Sequence, residues 1–210
     1  MTFTCERSFI LYARPDFVDD AVVGPDNPSI VELKQALAKR RTTRDFLPEP
    51  VSAAAVERLL YAAGRAPTAS NVPYREVIVV DDPRVIRAVK AVHPALLGSP
   101  PLLLVVVTNV GLAEKRVGRV GRLSSAIDSG AAGENVVLAA TEMGLGSQFT
   151  MISAMAGIRR VLGLPEEYRV DLIIPIGVPA PRVAATKSAR AAAPIHHNQH
   201  GVPYARDDRA

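Results

Sequence analysis

The sequence predicts a sheet flanked by helices, of α+β or α/β type. Two observations carry this. Strand-like apolar runs at Glu76–Asp81, Leu102–Thr108 and Val170–Gly177 are separated by helical patterns. The run at 102–108 is also aliphatic throughout rather than alternating, which requires cover on both faces.

Taken in order, residues 1–28 hold Pro15, Gly24, Pro25 and Pro28 among Asp16, Asp19 and Asp20, and read as an irregular arm. The arm is either a loose terminus or, in a dimer, a strap around the partner. Ser29 and Glu32 form a capping box for a helix whose stripe is Ile30, Leu33, Ala36 and Leu37. Ser52 caps a second helix with Val56, Leu59, Leu60 and Ala63 on one face, stopped by Gly64. The run at 76–81 has a buried-strand pattern and ends at Asp82-Pro83, and a short helix spans 84–92. Residues 109–123 carry glycines with Arg116, Arg119 and Arg122, and read as a loop or lid. The longest helix spans 124–143 and is nearly free of charge, with only Asp128, Glu134 and Glu142. A helix apolar nearly all round must be buried, either inside one chain or at a seam between two. Gly144 or Gly146 ends it. A helix at 158–162 closes at Gly163 and Pro165, and Pro175 within the last strand suggests an edge or a bulge.

Composition bounds the rest. The chain has 210 residues, 48% hydrophobic and 22% charged, which fits one globular domain without staples. One cysteine, Cys5, rules out a disulfide framework and favours a reducing, cytoplasmic setting. No apolar run is long enough to span a membrane, and no signal pattern opens the chain. The net charge of +4 is spread out and lacks aromatic platforms or zinc spacing, so nucleic acid is not an expected partner. No Gly-x-Gly-x-x-Gly follows a strand, so a Rossmann site is unsupported. His196 and His200 stand four apart, as zinc ligands on a helix do, but no third ligand is near in sequence.

The densest chemistry lies at 39–46, Lys-Arg-Arg-Thr-Thr-Arg-Asp-Phe. Guanidinium forks beside short hydroxyls suit a phosphate dianion. This run, with Leu59-Leu60-Tyr61-Ala62-Ala63, Ala66-Pro67-Thr68-Ala69-Ser70-Asn71, Ile127-Asp128-Ser129-Gly130, Gly144-Leu145-Gly146-Ser147 and Ile176-Gly177-Val178-Pro179, resembles the nitroreductase family over roughly residues 30–200.

The resemblance implies an α+β fold with three layers, a central mixed sheet flanked by helices, and a homodimer whose seam is the long helix. It divides the chain into the arm at 1–28, one FMN-binding domain at 29–201 and a tail at 202–210. It implies FMN as cofactor, NAD(P)H as donor and a nitroaromatic, quinone or similar acceptor. Arg40, Arg41, Thr42 and Arg44 resemble the first flavin segment, where one arginine meets the phosphate and another the N1–C2=O edge. A cation at that edge stabilises the reduced ring. Pro67, Thr68, Ala69, Ser70 and Asn71 resemble the loop that a partner subunit lays over the flavin. Backbone groups of Met151 or Ile152 would face N5, and Lys187 and Arg190 resemble a basic pair that closes on the phosphate, or else are surface charge. No side chain is required as acid or base, so no catalytic residue is assigned. Residues 195–201 resemble a structural segment near the family's C-terminus.

Two departures stand out. Asn71-Val72-Pro73-Tyr74 is one residue shorter than the family's Asn-x-Gln-Pro-Trp, having lost the Gln, and Tyr74 is expected to pack through its ring. Ser147-Gln148-Phe149-Thr150 stands where a Glu-Gly often follows the long helix. Three other functions remain open: the flavin subunit of a cyclodipeptide oxidase, which 66–71 and 95–100 also resemble, a small relative that fragments flavin or dehalogenates tyrosines, and a flavin-binding or basic scaffold protein without turnover.

Overall fold

A computed structural model describes residues 33–150, 154–181 and 193–203. The chain divides into two compact units, Met1–Ala180 and Pro181–Ala210. The arm, the Ser29–Glu32 capping box and the end of the tail lie outside the described residues.

The first unit runs α1 (Leu33–Lys39), α2 (Ala53–Gly64), β1 (Arg75–Val80), α3 (Pro83–Val92), β2 (Leu102–Asn109), α4 (Val110–Val117), α5 (Gly121–Glu142), β3 (Gly146–Ser147), α6 (Met155–Leu162) and β4 (Tyr168–Gly177). The sheet order is β1-β2-β4-β3, and every pair of strands is antiparallel. Its parallel component is one bridge, from Thr42 to Ser147.

The aliphatic run at 102–108 becomes β2, buried from Leu102 to Thr108. Its alternate side chains feed two cores. Leu102, Leu104 and Val106 pack with Leu59 and Ala63 of α2 and with Val136, Val137 and Ala140 of α5. Leu103, Val105 and Val107 pack with Ile86 and Val89 of α3 and Ile158 of α6. The result is three layers: α2 and α5, the sheet, then α3 and α6. Among the described residues, no helix is long and apolar enough to cross a membrane.

Local signals set the helix ends. Ser52 Oγ accepts from Ala55 N–H at 3.2 Å, and Asp82 Oδ1 accepts from Arg84 N–H at 2.7 Å. Of the two glycines proposed to end the long helix, Gly144 does so. It takes φ +73, its N–H reaches Thr141 O, and Leu145 N–H reaches Ala140 O at 2.8 Å.

Three expectations are corrected. Residues 109–123 are not a loop. Asn109 caps α4 by accepting from Leu112 N–H at 2.9 Å, Ala113 is buried, and the chain turns at Gly118 (φ +82) into α5. The strand at β1 lies at an edge and is only partly buried. Pro175 sits on an inner strand, and the bulge of β4 is elsewhere. Val106 pairs with Leu172 and Val107 with Val170, leaving Asp171 as the extra residue. Pro175 is tolerated because its carbonyl accepts from Gln148 N–H. Its backbone polar edge therefore faces the short β3 side, and β2 loses no ladder bond.

The bulge aims Asp171 at α5. Its carboxylate accepts from Thr108 Oγ1 at 2.5 Å and Ser129 Oγ at 2.7 Å, and pairs with Arg169. Arg169 also donates to Arg122 O at 3.0 Å and Ser125 Oγ at 3.1 Å. The start of β4 is thus tied to the first half of α5 through fully partnered polar groups.

In the second unit, residues 196 and 203 form an antiparallel bridge around a turn with Asn198 at φ +61. The His196 and His200 rings lie 4.7 Å apart in this turn, which is not a helix.

His93 follows α3 and is fully buried, and burial pushes its pKa below the ordinary 6.5. As pH falls below 6.5 the unfolded chain takes up a proton that the folded chain resists. The stability from neutral His93 is therefore complete above 6.5 and declines below it. Urea unfolding is expected to show a lower midpoint at pH 5.5 than at pH 7, and His93→Gln is expected to narrow that gap.

Candidate functional site

The basic segment leaves α1 and is fixed by backbone bonds to the end of the sheet. Arg40 N–H bonds Ala36 O at 2.9 Å, and Thr43 N–H donates to Ser147 O at 2.8 Å. Beyond it, Leu47 N–H reaches Val178 O at 2.9 Å and Ala180 N–H reaches Asp45 O at 3.0 Å. Two glycines permit the close approach. A Cβ on Gly146 would sit 2.6–2.7 Å from the Thr43 side chain. Gly98, at φ +69, lies against the Arg44 carbonyl, which a Cβ would strike. Lys90 Nζ holds Gly98 by its carbonyl. Arg40, Arg41, Thr42 and Arg44 are therefore displayed from a rigid backbone. Arg40 is half-buried, with Nε 3.5 Å from Glu134 Oε1 of α5. Arg41, Thr42 and Arg44 are exposed, and neither Arg41 nor Arg44 enters an ion pair among the described residues.

The loop at 67–71 is held from the other side of α2. Ala69–Asn71 form a 3-10 turn in which Ser70 and Asn71 both take positive φ, 56 and 54. Ala69 N–H donates to Asp128 Oδ2 at 2.8 Å and to the Tyr74 hydroxyl at 3.1 Å. Tyr74 is fully buried, and its hydroxyl donates to Asp128 Oδ2. Burial, and then the Asp128 hydrogen bond, push the Tyr74 pKa above its ordinary 10. Tyr74 thus does more than pack through its ring.

Arg75 is buried and donates only to carbonyls: Pro67 at 3.2 Å, Asp128 at 3.0 Å, Ala63 at 3.3 Å and Ala66 at 3.1 Å. Asn135 Nδ2 adds a bond to Ala62 O at 3.1 Å. Reading the sequence for ligand contacts missed Arg75 and gave Asp128 no role. The available signals were an arginine opening an apolar strand and an isolated carboxylate in a charge-poor helix.

The chain after α5 bends past the basic segment as β3 and continues beside β4, with Thr150 N–H on Ile173 O at 3.1 Å. Gln148 Oε1 and Thr150 Oγ1 are buried with no hydrogen-bond partner among the described residues. Buried polar atoms without partners are uncommon, and these two are open to a further polar group. Met151, Ile152, Lys187 and Arg190 lie outside the described residues. Among the described residues, no group of three His, Cys, Asp or Glu side chains could hold a metal ion.

The α+β fold thus exposes a cluster of arginines and hydroxyls at the sheet's end, a chemistry that suits an anionic ligand. The sequence matches the profile of the nitroreductase family over residues 37–98 and 88–178. The chain belongs to this family of oxidoreductases. It is 28% identical over 158 residues, 72% of this chain and 80% of the relative, to a protein of Methanothermobacter thermautotrophicus named "Putative NADH dehydrogenase/NAD(P)H nitroreductase". Among solved structures it resembles an FMN-dependent nitroreductase of Clostridium difficile at TM-score 0.63 and 27% identity, covering 72% of this chain and 90% of that one. It also shares the fold of nitroreductase A of Vibrio parahaemolyticus, at TM-score 0.67 and 23% identity, over 80% of this chain and 76% of that one.

Two outcomes follow from the geometry. Gly98→Ala combines a left-handed backbone with a collision against Arg44 O. It is expected to cost at least about 2 kcal/mol in chemical denaturation. Tyr74→Phe removes a donor from Asp128 and an acceptor from Ala69, and is expected to cost about 1–2 kcal/mol in the same assay.

Proposed function

We propose that the protein is an FMN-dependent NAD(P)H oxidoreductase acting on nitroaromatic, quinone or similar acceptors as a homodimer. Bound FMN would supply a two-electron carrier that takes hydride at N5 from NAD(P)H and yields it to the acceptor in a ping-pong cycle. The observation that carries this reading is the arginine segment fixed against β3, in a chain of this family. The names of the relatives, one NAD(P)H-linked and one FMN-dependent, support the choice of donor and cofactor.

The residues present fit FMN. Arg41 and Arg44 offer guanidinium groups free of ion pairs among the described residues, for a phosphate dianion. Arg40, Arg41 and Arg44 also provide the cation for the ring's N1–C2=O edge. Thr42 adds an exposed hydroxyl, and the orphaned Gln148 and Thr150 leave polar capacity in the adjoining segment. The cofactor set of the proposal is completed by Pro67, Thr68, Ala69, Ser70 and Asn71 from the partner, backbone groups of Met151 and Ile152, and Lys187 with Arg190. The cofactor domain is taken as residues 29–201. Positioning and electrostatics supply the rate, with no side chain acting as acid or base.

The homodimer is supported by apolar residues on α1 and α5 that the described part of the chain leaves largely exposed. Leu33 and Leu37 on α1 are 66% and 51% exposed, and Leu123 and Ile127 on α5 are 66% and 64% exposed. Gly130 on the same stripe meets open space. A bare stripe of this kind is what a second copy would cover.

Purified protein is expected to show flavin absorbance and to bleach when mixed anaerobically with NADH or NADPH. Retained flavin with no bleaching by either nucleotide would favour binding without turnover. Arg40→Ala and Arg44→Ala are each expected to weaken FMN by about 1.5–3 kcal/mol, or about one to two decades in affinity. Arg119→Ala, in the turn between α4 and α5, is expected to do far less; equal losses from all three would indicate a diffuse basic field. Sedimentation is expected to show a dimer, with an interface above about 2,000 Å² in total.

A further inference from the structure

We infer that Asp128 and Arg75 are positioning residues for the FMN site. They hold the exposed loop at 67–71 in the shape it presents to a flavin bound by a second copy of the chain. The inference rests on the FMN-dependent reading and adds to it the device that makes the loop rigid.

The loop tip is strained. Ser70 and Asn71 are consecutive non-glycine residues at positive φ, a region that disfavours side chains, Ser more than Asn. Both are exposed, and so is Pro67. Such a tip keeps one conformation only if the residues behind it over-determine it.

Behind it stand two charged groups. The Asp128 carboxylate takes the Ala69 N–H at 2.8 Å and the Tyr74 hydroxyl on the same oxygen, which fixes the start of the 3-10 turn. The Arg75 guanidinium spans three pieces of chain through four carbonyls: the end of α2 at Ala63, the loop entry at Ala66 and Pro67, and α5 at Asp128. It forms no ion pair among the described residues, although it is 6% exposed. A buried cation balanced only by carbonyl dipoles is a costly way to secure an ordinary surface turn. Its planar fork reaches several acceptors in fixed directions, which an ammonium cannot copy. The arrangement therefore sets loop geometry. Arg75 is buried and committed to four carbonyls, and Asp128 Oδ2 is committed to two donors that shape the loop. Both act through residues 67–71.

The test uses the full-length chain stripped of flavin and titrated with FMN by fluorescence quenching, with thermal unfolding of each apoprotein measured alongside. Asp128→Ala and Arg75→Lys are expected to raise the FMN Kd about tenfold, on the scale of a lost charge-assisted hydrogen bond. Asp128→Asn, which retains an acceptor oxygen, is expected to recover most of the affinity. If Arg75→Lys does not fold, the two Asp128 variants decide the question.

The readout that a purely structural role would not move comes from mixed dimers. Asp128→Ala and Arg44→Ala chains, carrying different affinity tags, are co-expressed and purified as the heterodimer. One of its two sites then combines an intact Arg44 with an intact loop. It is expected to bind FMN with wild-type affinity at half stoichiometry. Wild-type affinity in the Asp128→Ala homodimer would overturn the inference while leaving the FMN reading intact. A weakened homodimer with no recovered site in the heterodimer would also overturn it. Wild-type protein that binds no FMN would overturn the reading and the inference together.

Discussion

Everything in the first unit is organised by the need to cover β2 on both sides. Seven consecutive residues, Leu102 to Thr108, are buried. No solvent-facing side is left, so helices must lie on each face. α2 and α5 meet one set of alternate side chains, and α3 and α6 meet the other. Burying a single aliphatic side chain contributes about 1.5–3 kcal/mol, so the strand's apolar register is the main energetic constraint on the layers. The site inherits its rigidity from this arrangement. The basic segment and the end of β4 are bound to one another by backbone bonds, and β4 is bound to β2.

α5 is where the two kinds of interaction meet. Its second half supplies Val136, Val137 and Ala140 to the core. Its first half instead carries Ser125 and Asp128, which meet Arg169 and Arg75, and Ser129, which donates to Asp171. Each arginine donates to a main-chain carbonyl of the helix as well as to other partners. The helix is thus anchored by packing at one end and by polar bonds at the other. The opposite stripe, with Leu123, Ile127 and Gly130, is left largely exposed. One helix therefore presents three chemically distinct faces, which explains its low charge and its many small residues.

Features that depend on local chemistry were legible in the sequence. The run at 102–108 announced a covered strand, Ser52 and Gly144 marked helix ends, and the cluster of arginines at 40–44, proposed as an anion site, was visible as a run of residue types. Features set by distant contacts were not. α4 is hidden because its cap, Asn109, is the last residue of a strand and its one buried alanine depends on packing against α5. The edge position of β1 cannot be read from Glu-Val-Ile-Val-Val, because strand order is a property of the whole sheet. Pro175 suggested an edge or a bulge at its own position, but it lies on an inner strand with a regular register, and the bulge lies four residues earlier. Arg75 and Asp128 were overlooked as a pair because their partners are backbone carbonyls and an amide, which leave no mark in residue identity.

The bulge at Asp171 has a consequence for how this strand can vary. In a regular strand Val170 would share a face with Leu172 and Ile174. Here it joins Ile173 in the α3–α6 core, while Leu172 and Ile174 serve the α5 side. The extra residue exchanges the two faces of the strand at that point. Deleting Asp171 would remove the bulge and leave Val170 and Tyr168 on their present face, whereas regularising the strand with every residue kept would turn both toward α5. Substitutions at 171 can be judged by the carboxylate they lose. A deletion at 171 costs the carboxylate but keeps the faces, while a deletion at a neighbouring position of the strand that kept the bulge would invert them upstream. Relatives without the bulge would align correctly with this chain only if a gap is opened at that one position.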